Sequence, residues 1–198
     1  EFNVSWTVSD NYGVAFTEVY VDGELYANTS DNCCLVHVES DGNHTIMLRA
    51  VDYVGNSKQF TIMILVDTEP PVIEGVWYPN VSYVGSIVEI EVRAFDSLSG
   101  ISRVVFLYRR DVETTYNNIS MNIVDDKYVV GIVFNETGVI KFKIMVFDLA
   151  GNRAISPEYS LKITEKKNIY LYAIAILVSI AIIIMAIFTV KVWRKKRS

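Results

Sequence analysis

Cysteine and histidine are scarce in this sequence of 198 residues, with two of each. Neither His37 nor His44 has the serine and aspartate context of a nucleophile relay. No phosphate-cradling glycine loop or zincin-type histidine run occurs either. Catalysis within these residues is therefore not expected. Basic charge is also short over most of the chain. Residues 1–190 carry thirteen basic against twenty-three acidic side chains, because Lys191, Arg194, Lys195, Lys196 and Arg197 hold the other five. A surface of that sign repels phosphate, which excludes a nucleic-acid partner. An initiator methionine and a signal peptide are missing, and export requires such a signal. The expectation is a C-terminal fragment of something longer.

What is present begins with one long uncharged run, "IYLYAIAILVSIAIIIMAIFTV", at residues 169–190. As a helix it spans about 33 Å, against a hydrocarbon core of about 30 Å. Tyr170 and Tyr172 stand at one end and Trp193 just past the other, where amphipathic rings favour a membrane interface. A buried core helix is the alternative, although such helices are rarely apolar on all sides over six turns. The expectation is a single-pass membrane protein anchored in the lipid bilayer, with residues 191–198 as a basic cytoplasmic tail and the N-terminus extracellular. That tail is too short for a signalling domain. The run has no charge to recruit a partner helix, and no sorting motif precedes it.

Glycosylation sequons fit an outer location. They occur at Asn3, Asn28, Asn43, Asn80, Asn118 and Asn135, all before the apolar run. Chance predicts roughly two for this composition. In "FNVSWTVSD", Phe2, Val4, Trp6 and Val8 alternate with polar residues, so Asn3 faces solvent on a strand.

The same alternation recurs further on. "GNHTIMLRAVDYVGN" at 42–56 matches "GVIKFKIMVFDLAGN" at 138–152 without a gap, and "FNVSWTVSD" matches "VEIEVRAFD" at 88–96. The offset grows from 86 to 96 residues, so the second copy carries an insertion around 111–127. Asp22-Gly23 between two apolar runs is a strong hairpin signal. No stretch before residue 165 has sustained helical periodicity. The pattern predicts six strands in 1–67 and seven in 70–164, with residues 72–86 supplying a first strand that the first copy lacks.

The linker "VDTEPPVI" and the endings "AVDYVGN" and "VFDLAGN" resemble tandem immunoglobulin-like or fibronectin type III-like domains of prokaryotic, often archaeal, cell-surface proteins. The resemblance covers about residues 1–164. The implied fold class is all-β: two tandem antiparallel β-sandwiches followed by a single transmembrane α-helix. The boundaries expected are a sandwich at 1–67 lacking its first strand, a linker at 68–71, a sandwich at 72–164, the helix at 169–190 and the tail at 191–198.

Two features stand as candidate sites. Cys33 and Cys34 share one strand, with side chains on opposite faces. Antibody-type domains instead join two strands with their disulfide. Free thiols, a strained vicinal disulfide and an intermolecular bridge all remain open, while a Cys33/His37 metal site lacks a visible third ligand. In a sandwich of this topology, Asp96 and Asp148 lie at the pole facing the preceding domain, near the linker acids Asp67 and Glu69. Asp10 and Asp52 are their equivalents in the first copy. Hard oxygen ligands gathered there would suit calcium; no other cofactor is expected. The alternative is turn chemistry. Asp caps its own turn, and Gly and Asn take positive φ, which accounts for D-x-x-G-N without a metal.

The function expected is a membrane-anchored extracellular stalk or adhesion module with an unidentified protein or glycan ligand. The alternative is the spacer and anchor of a surface ectoenzyme, a protease or carbohydrate-active protein, whose catalytic domain lies upstream.

Overall fold

The computed structural model describes residues 1–166, 174 and 176–186. The first six strands are β1 (Phe2–Ser5), β2 (Val14–Val21), β3 (Glu24–Thr29), β4 (Cys33–Val36), β5 (Gly42–Asp52) and β6 (Ser57–Val66). They form a sheet in the order β3-β2-β5-β6 and a two-stranded sheet β1-β4. The alternation in the sequence sets the faces: Val4 and Val36 meet Val19 and Ile46 in a small core. Asp22 and Gly23, at φ 52° and 86°, connect Val21 to its partner Glu24. Two positive φ angles in a two-residue loop make the turn whose twist matches a hairpin.

Ten strands follow: β7 (Val72–Trp77), β8 (Val81–Tyr83), β9 (Ile87–Phe95), β10 (Ile101–Arg110), β11 (Asn117–Ser120), β12 (Asn122–Val124), β13 (Lys127–Val133), β14 (Gly138–Asp148), β15 (Arg153–Ile155) and β16 (Tyr159–Thr164). Seven strands were expected here, and the difference has local causes. Pro79 separates β7 from β8 and Pro157 separates β15 from β16; proline offers no N–H to a ladder. Beside Pro157, the Ser156 hydroxyl accepts the Ile144 N–H at 2.9 Å and keeps that buried donor satisfied. The insertion forms β11 and β12, divided at the buried Met121.

These breaks let the chain change sheets. One sheet runs β11-β10-β14-β16-β8, with β15 also on β14, and the other runs β12-β13-β9-β7. The pairs β7/β8 and β11/β12 each place one strand in either sheet, so the second sandwich is stitched along both edges. Fourteen buried apolar residues fill it, against four in the first. Phe142 lies at its centre, edge-on to Tyr78 at 4.8 Å and tilted against Phe106 at 5.3 Å. Each buried aliphatic or phenylalanine side chain contributes about 1.5–3 kcal/mol. Most of the hydrophobic stabilisation therefore lies in the second sandwich.

The single-pass localisation and its terminal span need correction. Among the described residues no helix is long and apolar enough to cross a membrane. The helical residues described are 174 and 176–186. The continuous segment is about 16 Å long at 1.5 Å per residue, roughly half the hydrocarbon thickness. Tyr170, Tyr172, Lys191, Trp193, Arg194, Lys195, Lys196 and Arg197 lie outside the described residues.

Candidate functional site

Three strand ends meet where the two sandwiches join. Asp67 follows β6, Asp96 follows β9, and Asp148 ends β14. One carboxylate oxygen from each lies within 4.8 Å of the others. Asp148 is 2% exposed and Asp67 is also buried. Glu69 is outside this trio and takes part through its backbone.

Each aspartate accepts at least one N–H from the loop it begins. Asp96 Oδ1 accepts the Leu98 N–H at 3.1 Å and the Gly100 N–H at 2.6 Å. Asp148 Oδ1 accepts the Gly151 and Asn152 N–H groups at 2.6 and 2.7 Å. Gly151 takes φ 99°, a conformation that a side chain would strain. Asp67 Oδ1 accepts the Glu69 N–H, and its Oδ2 accepts the Ser99 N–H, both at 3.1 Å. Hydrogen bonding from Ser99, helped by the Glu69 N–H and opposed by burial, holds the Asp67 carboxyl below its usual range. Asp96 Oδ2 has no hydrogen bond among the described residues.

Asn152 joins this cluster to the linker. Its side-chain amide donates to Asp148 Oδ2 at 2.8 Å, to the Asp67 carbonyl at 3.0 Å and to the Glu69 carbonyl at 3.3 Å. From the first sandwich, Asp41 accepts the Thr68 N–H and hydroxyl, each at 3.0 Å. Consecutive residues 67, 68 and 69 are thus gripped alternately by the two sandwiches. The equivalent Asn56 amide donates to Asp52 Oδ2 at 2.8 Å, and Asp52 Oδ1 accepts the Val54 and Asn56 N–H groups. Asp10 likewise accepts the Tyr12 N–H. D-x-x-G-N is one device in both copies. In the second it also holds the incoming chain.

The remaining candidates are dispersed. Asn3, Asn28, Asn43, Asn80, Asn118 and Asn135 are all exposed. Cys33 and Cys34 are free thiols, Cys33 exposed and Cys34 half-buried against the first core. Burial, with the neighbouring Cys33 adding to it, raises the Cys34 thiol. Sequence reading missed the pair formed by His44 and Asp22, with Nδ1 2.6 Å from Oδ2 and Nε2 2.9 Å from the Ser40 carbonyl. The signal was a histidine on the inward face of β5, opposite Ile64 and in step with Ile46.

Residues 65–184 match the family described as "Domain of unknown function (DUF7743)". No curated protein matches the chain. Among solved structures, the fibronectin(III)-like modules of Clostridium thermocellum CbhA align over 83% of this chain and 84% of theirs. That alignment has 21% identity and a TM-score of 0.53, which shows the fold: tandem fibronectin type III-like sandwiches. Dimeric latent PorU from Porphyromonas gingivalis aligns at 14% identity and TM-score 0.39, over 80% of this chain and 17% of that one. The Bacteroides ovatus mixed-linkage glucan utilization locus protein SGBP-B, solved in complex with a mixed-linkage heptasaccharide, aligns at 14% identity and TM-score 0.24. That alignment covers 82% of this chain and 39% of that one.

Proposed function

The chain belongs to the DUF7743 family, and from its geometry we propose that it is a non-catalytic extracellular spacer. Two sandwiches, joined by a clamped linker, hold whatever is attached at their ends at a fixed separation. The observation that carries this reading is the alternating grip on residues 67–69 by Asp41, Ser99 and Asn152. A spacer needs a stiff joint more than a pocket. Pro70 and Pro71 add stiffness directly after the gripped residues, since each fixes its φ. With strands of about ten residues, each sandwich is roughly 35 Å long, so two in series separate their ends by about 70 Å. Six exposed sequons leave the outer surface open to glycans, in keeping with an extracellular setting.

Spin labels at Glu24→Cys and Glu89→Cys, in a Cys33→Ser/Cys34→Ser background, test the joint in the full chain. A single narrow distance distribution is expected. A broad distribution spanning many separations would remove the basis for a spacer.

A further inference from the structure

Basic side chains are unevenly placed in this acidic molecule. Residues 1–166 hold twelve basic and twenty-three acidic side chains. Six of the twelve, Arg103, Arg109, Lys141, Lys143, Arg153 and Lys162, stand on one face of one sheet. The register fixes this. Phe147 pairs with both Arg103 and Arg153, Lys143 with Leu107, Lys141 with Arg109 and Val139 with Lys162. The alternate residues of β14, Ile140, Phe142, Ile144 and Val146, are buried in the core, so this set points outward.

The fold does not require cations there, as the first sandwich shows. In the same register its equivalent positions are Phe16, Asp22, Thr45, Met47, Ser57 and Leu65, none of them basic. Nor do neighbouring acids account for all six. Arg109 binds Glu158 at 3.0 Å, and Lys141 lies 3.9 Å from Asp111. Arg103, Lys143, Arg153 and Lys162 have no ion pair among the described residues.

Aromatic rings lie between these charges. The Arg103 guanidinium sits 4.2 Å over the Phe147 ring. Tyr116, carried by the insertion, meets Arg109 at 5.3 Å and Lys143 at 5.6 Å. Its hydroxyl donates to Glu158, so the acid set among the cations is already engaged. Along β14 the face runs from Phe147, beside Arg153, to Val139, beside Lys162, which is about 26 Å. Across β10, β14 and β16 it is only about 10 Å wide. The result is a narrow cationic track with half-exposed rings along it.

We propose that this track binds a linear polysaccharide of carboxylate-bearing sugars, of the uronic-acid type. A single small anion needs converging donors, whereas these cations are spread out as the repeating charges of a polymer require. Sugar rings present apolar faces to Phe147, Met145 and Tyr116, while their carboxylates meet Arg and Lys. The acidic charge of the molecule as a whole opposes the denser phosphate backbone of a nucleic acid. The choice of a sugar polymer rests on the extracellular reading above; the register and the charge do not.

Calorimetric titration of polygalacturonate into the full chain tests the track. Binding is expected in about 50 mM salt and should weaken roughly tenfold by about 300 mM, because exposed charges are screened. Neutral dextran should not bind. Arg103→Gln/Lys143→Gln/Arg153→Gln/Lys162→Gln, all at the surface, should weaken binding roughly tenfold with an unchanged circular dichroism spectrum. Arg103→Lys/Arg153→Lys, which keeps both charges, should retain binding, as should Lys58→Gln/Arg93→Gln elsewhere on the molecule. No binding, or an equal loss in that last variant, overturns the proposal. Tighter binding of duplex DNA or of phosphatidylserine vesicles than of polygalacturonate also overturns it. So does salt-sensitive dimerisation that the fourfold variant abolishes, because a second copy would then be the occupant. A narrow spin-label distance without polymer binding removes this inference and leaves the spacer.

Discussion

The side-chain amide of Asn152 donates to the main-chain carbonyl of Asp67 at 3.0 Å, across 85 positions of sequence. A loop residue of the second sandwich therefore fixes the last residue before the linker turns. The same amide holds Asp148, so the grip and the turn cannot be loosened separately. Asn152→Ala should cost about 1–3 kcal/mol, the range for removing a partner from buried polar groups. Asn56→Ala, which loses one side-chain bond to a half-buried Asp52, should cost less. Denaturant midpoints of the two variants check the order.

Close carboxylates suggest a cation, and the hydrogen bonds offer another account. Asp67 and Asp148 each use both oxygens as acceptors. Neutralisation by N–H dipoles predicts the same melting temperature in millimolar calcium and in chelator. A calcium-dependent rise of several degrees would replace that account with a metal site.

Protonated His44 donates from both ring nitrogens, to Asp22 and to the Ser40 carbonyl; neutral imidazole has only one N–H. The bond to Asp22, supported by Ser40 and opposed by burial, raises the His44 pKa above 6.5. Its contribution is present below pH 6.5 and is lost as pH rises through the folded value. Asp22 moves the other way, lowered from 3.8 chiefly by His44, so its contribution is present above that value and lost on acidification. The first sandwich should melt highest between about pH 4 and 6.5 and lower at pH 8. His44→Gln should flatten the alkaline side of that profile, as read by thermal circular dichroism.

Ile46 and Phe142 occupy the same position of the repeat and are both buried. Phe142→Ala removes the centre of an enclosed core and should cost about 3–5 kcal/mol. Ile46→Ala enlarges a cleft that is already open on one side, so its cost should fall near the lower end of the usual 2–5 kcal/mol. Urea unfolding should resolve the two.

Thiol reactivity should divide cleanly. Cys33 is exposed, whereas Cys34 is half-buried with its thiol raised by burial and by Cys33. A disulfide reagent at pH 8 should modify one thiol per chain quickly and the second much more slowly. Cys33→Ser should abolish the fast phase.

Sequence and structure part company where a residue's role depends on distant chain. The strand faces and the Asp22-Gly23 turn follow from period and turn chemistry, which act over a few positions. The meeting of Asp96 and Asp148 beside Asp67 followed from topology, because exits from alternate strands gather at one pole. Asn152 was read only as a residue tolerant of positive φ. Its hold on Asp67 and Glu69 is set by how the linker lies, which no local pattern encodes. The sheet changes at Pro79 and Met121 were hidden likewise, since each half alone looks like ordinary strand. His44 was passed over because its partner lies 22 positions away in a turn.

The parallel pair β8–β16 joins the early and final strands of the second sandwich, matching Val81, Ser82 and Tyr83 to Lys162, Ile163 and Thr164. If the two ends of that sandwich are pulled apart, these strands are drawn in opposite directions along their length. Their hydrogen bonds are then loaded in shear and share the force, instead of opening one after another like a zipper. The antiparallel hairpins elsewhere lack that arrangement. Tension along the chain would therefore meet its resistance at this short pair of strands.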